Sequence, residues 1–353
     1  MKEKSLEKIR FEDNSWGAIR LLCCVLIMFS HYCVKVFGDE VVCYKPLLFA
    51  GSSLVVFFCL CGFLVGPSVL RNSKIEFLKK RIIRLYPVFV ATLVATVLVV
   101  IISGQYVSAS RIIEWFVGEI ICWRGRNIGG VSNGAIWAIS IQIQFYFFSV
   151  FTYKYLHSIN SKVFWVGLLL FSFILNITYV PVCDYLNSVG LRIVRGAYRY
   201  SFIPYYFFFL IGMFAYKYFD SIVPILRKYA YILLIVHLVW HMGFIKMPPP
   251  TWRYTDPITV LTASMAAIGL AYRLPRIKIK NDLSYDIFCW HMPVITGFAL
   301  YSEVAGWTKV LMCISITLIL SYLTNKYIER KLTIKNKHVK ENYQVHSMEE
   351  MVK

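Results

Sequence analysis

Residues 19–31 read IRLLCCVLIMFSH, an apolar run that opens with Arg20 and closes with His31. A hydrocarbon layer needs about 20 mostly apolar residues in a helix, and the chain around this run, residues 17–37, supplies that length. Hydrophobic residues make up 58% of the 353 positions and charged residues 16%. That leaves too little polar surface for a soluble protein of this length, which averages roughly 45–50% apolar. Similar runs recur near 46–66, 86–103, 134–151, 163–180, 202–218, 229–245, 257–272, 285–301 and 307–325. The expected fold is therefore all-α, a polytopic integral membrane bundle of about ten transmembrane helices. The apolar stretch around Trp115 and Ile121 is too short and interrupted to span, so it is expected at the interface or over the bundle.

The first sixteen residues are polar and mixed in charge, with no signal-peptide cleavage site after the first run, so that run is expected to remain as a helix. Alternating the spans from an inside N-terminus puts 26 of the 38 Lys and Arg on the cytoplasmic side and 10 outside. This asymmetry predicts both termini in the cytoplasm of a multi-pass protein of the cell (inner) membrane. It also accounts for most of the formal net charge of +19. Membrane lipids are the expected partner of that charge, and no nucleic-acid motif accompanies it. The ten cysteines are scattered, with no Cys-x-x-Cys pair and no His cluster at ligand spacing, so no metal is expected. Cys43, Cys122 and Cys183 fall outside, where a disulfide is open.

Ionisable groups inside a span face the bundle or a water-filled cavity. Arg20 and His31 are 11 residues apart, about three turns plus 20°, so they share a helix face with about 16 Å between them along the axis. Taken alone, Arg20 can snorkel to the headgroups and His31 can be a packing residue. Arg81 and Arg84 form an i, i+3 pair whose planar forks suit phosphate oxygens, although the same charges also serve as topology anchors. Trp137, Ser140 and Gln144 fall near one face of the fourth span, with Gln142 and Tyr146 pointing elsewhere. His291 precedes Pro293 and is expected to satisfy backbone groups that the proline frees. His237 and His241 read as packing residues.

In order along the chain come Arg20-x10-His31, FFCLCGFLV at 57–65, RIIRLYPVF at 81–89, IWAISIQIQFYFF at 136–148, LSYDIFCWHMPV at 283–294 and YIERK at 327–331. Together they resemble the acyltransferase-3 family of integral membrane O-acyltransferases, over about residues 13–331. The resemblance implies a membrane acyltransferase domain at 1–335 with a polar cytoplasmic tail at 336–353. It implies the stand-alone form, without the extra-cytoplasmic hydrolase-like domain of some members. The activity it implies is transfer of acetyl from acetyl-CoA, as co-substrate, to a hydroxyl of a cell-surface glycan or its lipid-linked precursor, such as O-antigen, capsule or exopolysaccharide. On the matched positions His31 and Arg20 are catalytic, Arg81 and Arg84 bind the donor, and Gln142 and Tyr146 are candidates for substrate binding. The chain departs from the family pattern twice. Cys61 stands where Ser-Gly-Phe is usual, and Gln142 stands where many members carry a glutamate. Gln142 cannot titrate, which leaves His31 as the main proton-transfer candidate, either as general base on the acceptor hydroxyl or as a covalent carrier of the acetyl group. The competing class is a transporter or flippase of a solute or lipid-linked glycan, built around the same buried charges.

Overall fold

The computed structural model describes residues 9–38, 48–121, 128, 129, 131, 133–243, 256–301 and 303–329. Cys43, Cys122, the three prolines at 248–250 and the tail from 336 lie outside the described residues. Within them the chain is helical. The helices are α1 (Trp16–Phe37), α2 (Ala50–Arg71), α3 (Lys74–Ile102), α4 (Ala109–Ile120), α5 (Ile136–Ser158), α6 (Lys162–Ile177), α7 (Tyr179–Ser188), α8 (Arg192–Arg199), α9 (Tyr206–Lys217), α10 (Phe219–Lys228), α11 (Ala230–His241), α12 (Pro257–Arg273), α13 (Ser284–Tyr301) and α14 (Gly306–Thr324).

Every one of the ten apolar stretches carries a helix, but they are not equal. Five helical segments are long and apolar enough to cross a membrane unaided: α1, α2, α3, α5, and α14 with its continuation to Ile328. Two bent pairs raise this to as many as seven: α6 with α7, bent by 46°, and residues 192–217 with α10, bent by 105°. Ten full crossings do not follow from length and composition, because α9 and α11 are 12 residues each and α13 carries Asp286 and His291. The stretch around Trp115 forms α4, only 12 residues long.

The centre is α2, whose residues are buried along most of its length. It packs against α1, α5, α9 and α12, while α1 also packs on α13 and α14, and α13 on α3. Two glycines set the α2–α9 crossing. A Cβ on Gly62 would run into the Phe209 carbonyl, and one on Gly212 into the Cys59 carbonyl. Without a hydrophobic drive between helices in lipid, such close backbone approach is how helices gain packing energy. It gives the glycine of Cys61-Gly62-Phe63 a steric reason.

The start of α1 is pinned to the connection between α12 and α13. The Ser15 amide donates to the Ala271 carbonyl (2.8 Å), the Ser15 hydroxyl donates to the Pro275 carbonyl (2.7 Å) and accepts from the Ile277 amide (3.2 Å). These bonds fix where α1 and α13 begin relative to one another, and hence where Arg20 meets the start of α13.

Candidate active site

Four of the helices, α1, α2, α5 and α13, line two cavities that follow one another along α1. The first lies at the start of α1. Arg20 from α1, Cys61 from α2, Arg81 and Arg84 from α3, and Gln142 and Tyr146 from α5 line it. Ser73 caps α3 by accepting from the Glu76 amide (3.2 Å), and Lys80 pairs with Glu76 at 3.0 Å. Starting α3 there puts Arg81 and Arg84 in its second and third turns, level with Arg20. The Arg81 guanidinium sits over the rings of Phe77 (5.1 Å) and Tyr146 (4.8 Å), which hold it in place without neutralising it.

One carboxylate joins the cluster. Asp282, two residues before α13, is ion-paired with Arg20 and lies 3.8 Å from Arg84. It also accepts from the Ser284 amide at 3.1 Å, and so tethers the start of α13 to both arginines. Three guanidinium groups against one carboxylate leave the cavity positive. The Nε groups of Arg20 and Arg81 are buried without a hydrogen-bond partner among the described residues. Buried donors of this kind are costly unless something accepts from them.

The second cavity is the larger and lies about three turns further along α1. Its wall includes Ser30 and His31 from α1, Leu54 from α2, Trp137 and Ala138 from α5, and Phe288 from α13. His31 Nδ1 lies 2.8 Å from His291 Nε2, with the two rings edge to edge, centroids 5.1 Å apart and planes 13° from parallel. His291 is fully buried, and its Nδ1 is 3.2 Å from the Ile287 carbonyl. The expectation that His291 serves backbone groups freed by Pro293 is corrected in part. Proline at 293 removes the bond to Cys289, whereas the ring reaches Ile287 and, across the bundle, His31.

The lining residues show how the two cavities relate. Along α5, Ala138, Gln142 and Tyr146 follow one another at steps of four, a single stripe from the histidine cavity to the basic one. The face grouping Trp137, Ser140 and Gln144 is split. Trp137 lines the histidine cavity, while Gln144 bonds the Tyr200 carbonyl (2.9 Å) and the Phe202 amide (3.2 Å) as interhelical glue. On α2, Leu54 faces the histidine cavity, and Phe57 and Cys61 the basic one. Phe57, in the wall of the basic cavity, stacks on Phe288, in the wall of the other, at 5.9 Å and 12°. This aromatic pair stands between Arg20's end and His31's end.

Cys61 and Gln142, the two departures from the acyltransferase-3 pattern, touch. The Gln142 amide donates to Cys61 Sγ at 3.0 Å and to the Tyr146 hydroxyl at 2.7 Å. His237 and His241 hold α11 in place through Thr262 (3.0 Å) and Ser52 (3.3 Å), as packing residues do. Cys183 is buried and unpaired. Among the described residues no group of three His, Cys, Asp or Glu is placed to hold a metal ion. Sequence reasoning missed Asp282 and the partnership of His291. A lone acid between Lys280 and the ninth span was a visible signal for the first. For the second the signal was a histidine inside a candidate span.

Comparison with known proteins bears on what this arrangement does. The sequence profile of the acyltransferase-3 family, described as an acyltransferase domain, matches residues 13–326. The chain is 23% identical over 327 residues to Nodulation protein 10 of Rhizobium leguminosarum bv. viciae, covering 83% of this chain and 86% of that one. It is 22% identical over 344 residues to the O-acetyl transferase of Shigella phage Sf6, covering 91% and 96% respectively. No solved structure matches it.

Proposed function

Because the chain belongs to the acyltransferase-3 family of membrane acyltransferases, we propose that it moves acetyl from cytoplasmic acetyl-CoA to a hydroxyl of a cell-surface glycan or its lipid-linked precursor. The observation that carries this reading is the pair of cavities walled by four shared helices and set about three turns apart on α1, one lined by three arginines and the other by His31. A phosphate-rich donor and a neutral polyol acceptor need different surroundings. Guanidinium forks match phosphate oxygens two hydrogen bonds at a time, and the unpartnered Nε groups are ready donors. In this reading the basic cavity opens to the cytoplasm, consistent with the Lys and Arg asymmetry, and both termini lie on that side of the inner membrane.

The roles then divide. Arg81 and Arg84 hold the phosphates of the donor. Arg20, steadied by Asp282, guides the pantetheine arm along α1, and Gln142 and Tyr146 form the wall beside it. The arm covers the ~16 Å between Arg20 and His31 and passes the Phe57–Phe288 pair. The acceptor enters the histidine cavity, where Trp137 offers a ring face for a sugar. His31 takes the proton of the acceptor hydroxyl as its oxygen attacks the thioester carbonyl. The C–S bond breaks, and the proton returns to the departing thiolate. General-base help of this kind contributes roughly 10²–10⁴-fold.

The test is transfer of label from [¹⁴C]acetyl-CoA to a panel of lipid-linked glycans by the purified protein in bilayers. Labelled glycan is the expected product, absent with His31→Ala. A wild-type protein that binds no CoA but carries glycan across vesicles would overturn the reading in favour of a transporter.

A further inference from the structure

We propose that His291 is a positioning residue that sets the tautomer of His31, so that His31 presents an unprotonated Nε2 to the reacting groups. The inference rests on the acyl-transfer reading above for its consequence, and on hydrogen-bond geometry for its content.

The argument begins at the buried end. A carbonyl oxygen only accepts, so the 3.2 Å approach of His291 Nδ1 to the Ile287 carbonyl requires the proton to be on that nitrogen. In a neutral ring the other nitrogen, Nε2, then carries a lone pair. That lone pair faces His31 Nδ1 at 2.8 Å, so His31 Nδ1 must be the donor. The proton of His31 is thereby fixed on Nδ1, and its Nε2 is left bare. The opposite arrangement would set the His291 Nδ1 lone pair against a carbonyl oxygen. A doubly protonated His291 would fit the distances, but would put a cation on a ring with no exposed surface, which is costly.

The two rings differ in what they can touch. His31 lines the cavity, whereas His291 is fully buried behind it and can act only through its neighbour. When His31 gains the acceptor's proton on Nε2, it becomes an imidazolium whose Nδ1–H still points at the His291 lone pair. The pair is thus prepared for the charge before it forms. This is the logic by which a third group orients a histidine base, with an imidazole and a helix carbonyl in place of a carboxylate.

Ring ¹⁵N NMR of histidine-labelled protein in bilayers, with His31→Gln and His291→Gln samples to assign signals, reads the tautomer without any substrate. The expected result is His31 as the Nδ1–H form in the wild type, and its change or mixing in His291→Leu. His291→Leu should also lower kcat on the order of 10²-fold with the CoA affinity unchanged, within the range of general-base effects. His291→Gln, which can place an accepting oxygen near the lost Nε2, should recover part of that rate. An Nε2–H form of His31 in the wild type would overturn the proposal. So would an unchanged kcat in folded His291→Leu protein. Robust transfer by His31→Gln is a different failure, since it refutes His31 as the base and leaves the tautomer measurement standing.

Discussion

The two cavities share four helices, yet they are built on opposite principles. The basic cavity gathers Arg20, Arg81 and Arg84 against one carboxylate, and places aromatic faces beside the cations. The histidine cavity is the roomier, mostly apolar, and has in and behind its wall a hydrogen-bonded pair of imidazoles. On the proposed reading, affinity and reaction are placed about three helical turns apart on α1. A substitution in one cavity should therefore change a different measured quantity from a substitution in the other.

The largest expected effect comes from the histidine cavity. His31→Ala should lower kcat by roughly 10²–10⁴-fold while CoA affinity, measured by calorimetry in nanodiscs, stays within about twofold. A parallel loss of CoA affinity would merge the two cavities into one site and break the comparison.

The complementary variant is Arg81→Ala. Losing a charge-assisted contact to phosphate costs about 1.5–3 kcal/mol, so donor Kd should weaken by roughly 10–100-fold, with kcat at saturating donor little changed. Arg84→Ala should act in the same direction, and Arg84→Lys should recover only part of the affinity, because a point charge lacks the fork. Unchanged donor affinity in folded Arg81→Ala protein would return the arginines to topology anchors.

A third variant acts on what the two cavities share. Gly62→Ala should strain the α2–α9 crossing, because the added methyl meets the Phe209 carbonyl and a backbone atom cannot swing away. Overpacking of this kind costs about 1–3 kcal/mol, read as lower thermal stability with both affinity and rate lost together. A Gly62→Ala protein of normal stability would show that the crossing adapts.

How much of this was legible in the sequence follows from the range of each interaction. The helix positions were legible, because apolar runs report burial residue by residue. The shared face of Arg20 and His31 followed from helical phase alone, and so did the i, i+3 relation of Arg81 and Arg84. What the sequence hid is contact between elements far apart in the chain. His291 meets His31 only because α13 packs on α1, and nothing local to either helix records that. Asp282 lies in a connection, and its place beside Arg20 depends on Ser15 tying the start of α1 to the segment before α13. The number of crossings does not follow from the sequence for a related reason. Hydropathy marks apolar chain, and it does not mark where α9 or α11 ends after three turns.

The contact between Cys61 and Gln142 gives the smallest and most discriminating test. These positions differ from the family pattern separately in the sequence, yet they meet at 3.0 Å in the fold, beside Tyr146 and under the Arg81 guanidinium. A glutamate at 142 would put a carboxylate within reach of Arg81 and compete with the donor phosphates for it. Gln142→Glu is nearly isosteric, and Tyr146, Cys61 and Arg81 stand around it to partner the new carboxylate, so a folded variant is expected. Donor Kd should weaken by about fivefold, close to 1 kcal/mol for a charge pair in a partly hydrated site, with kcat unchanged. Cys61→Ser, made alone and with Gln142→Glu, should show coupling of at least about 0.5 kcal/mol in donor binding, because the two side chains share a hydrogen bond. If Gln142→Glu instead changed kcat and left donor affinity alone, residue 142 would belong to the reaction. The division between a binding cavity and a reacting cavity would then fail at the stripe of α5 that runs between them.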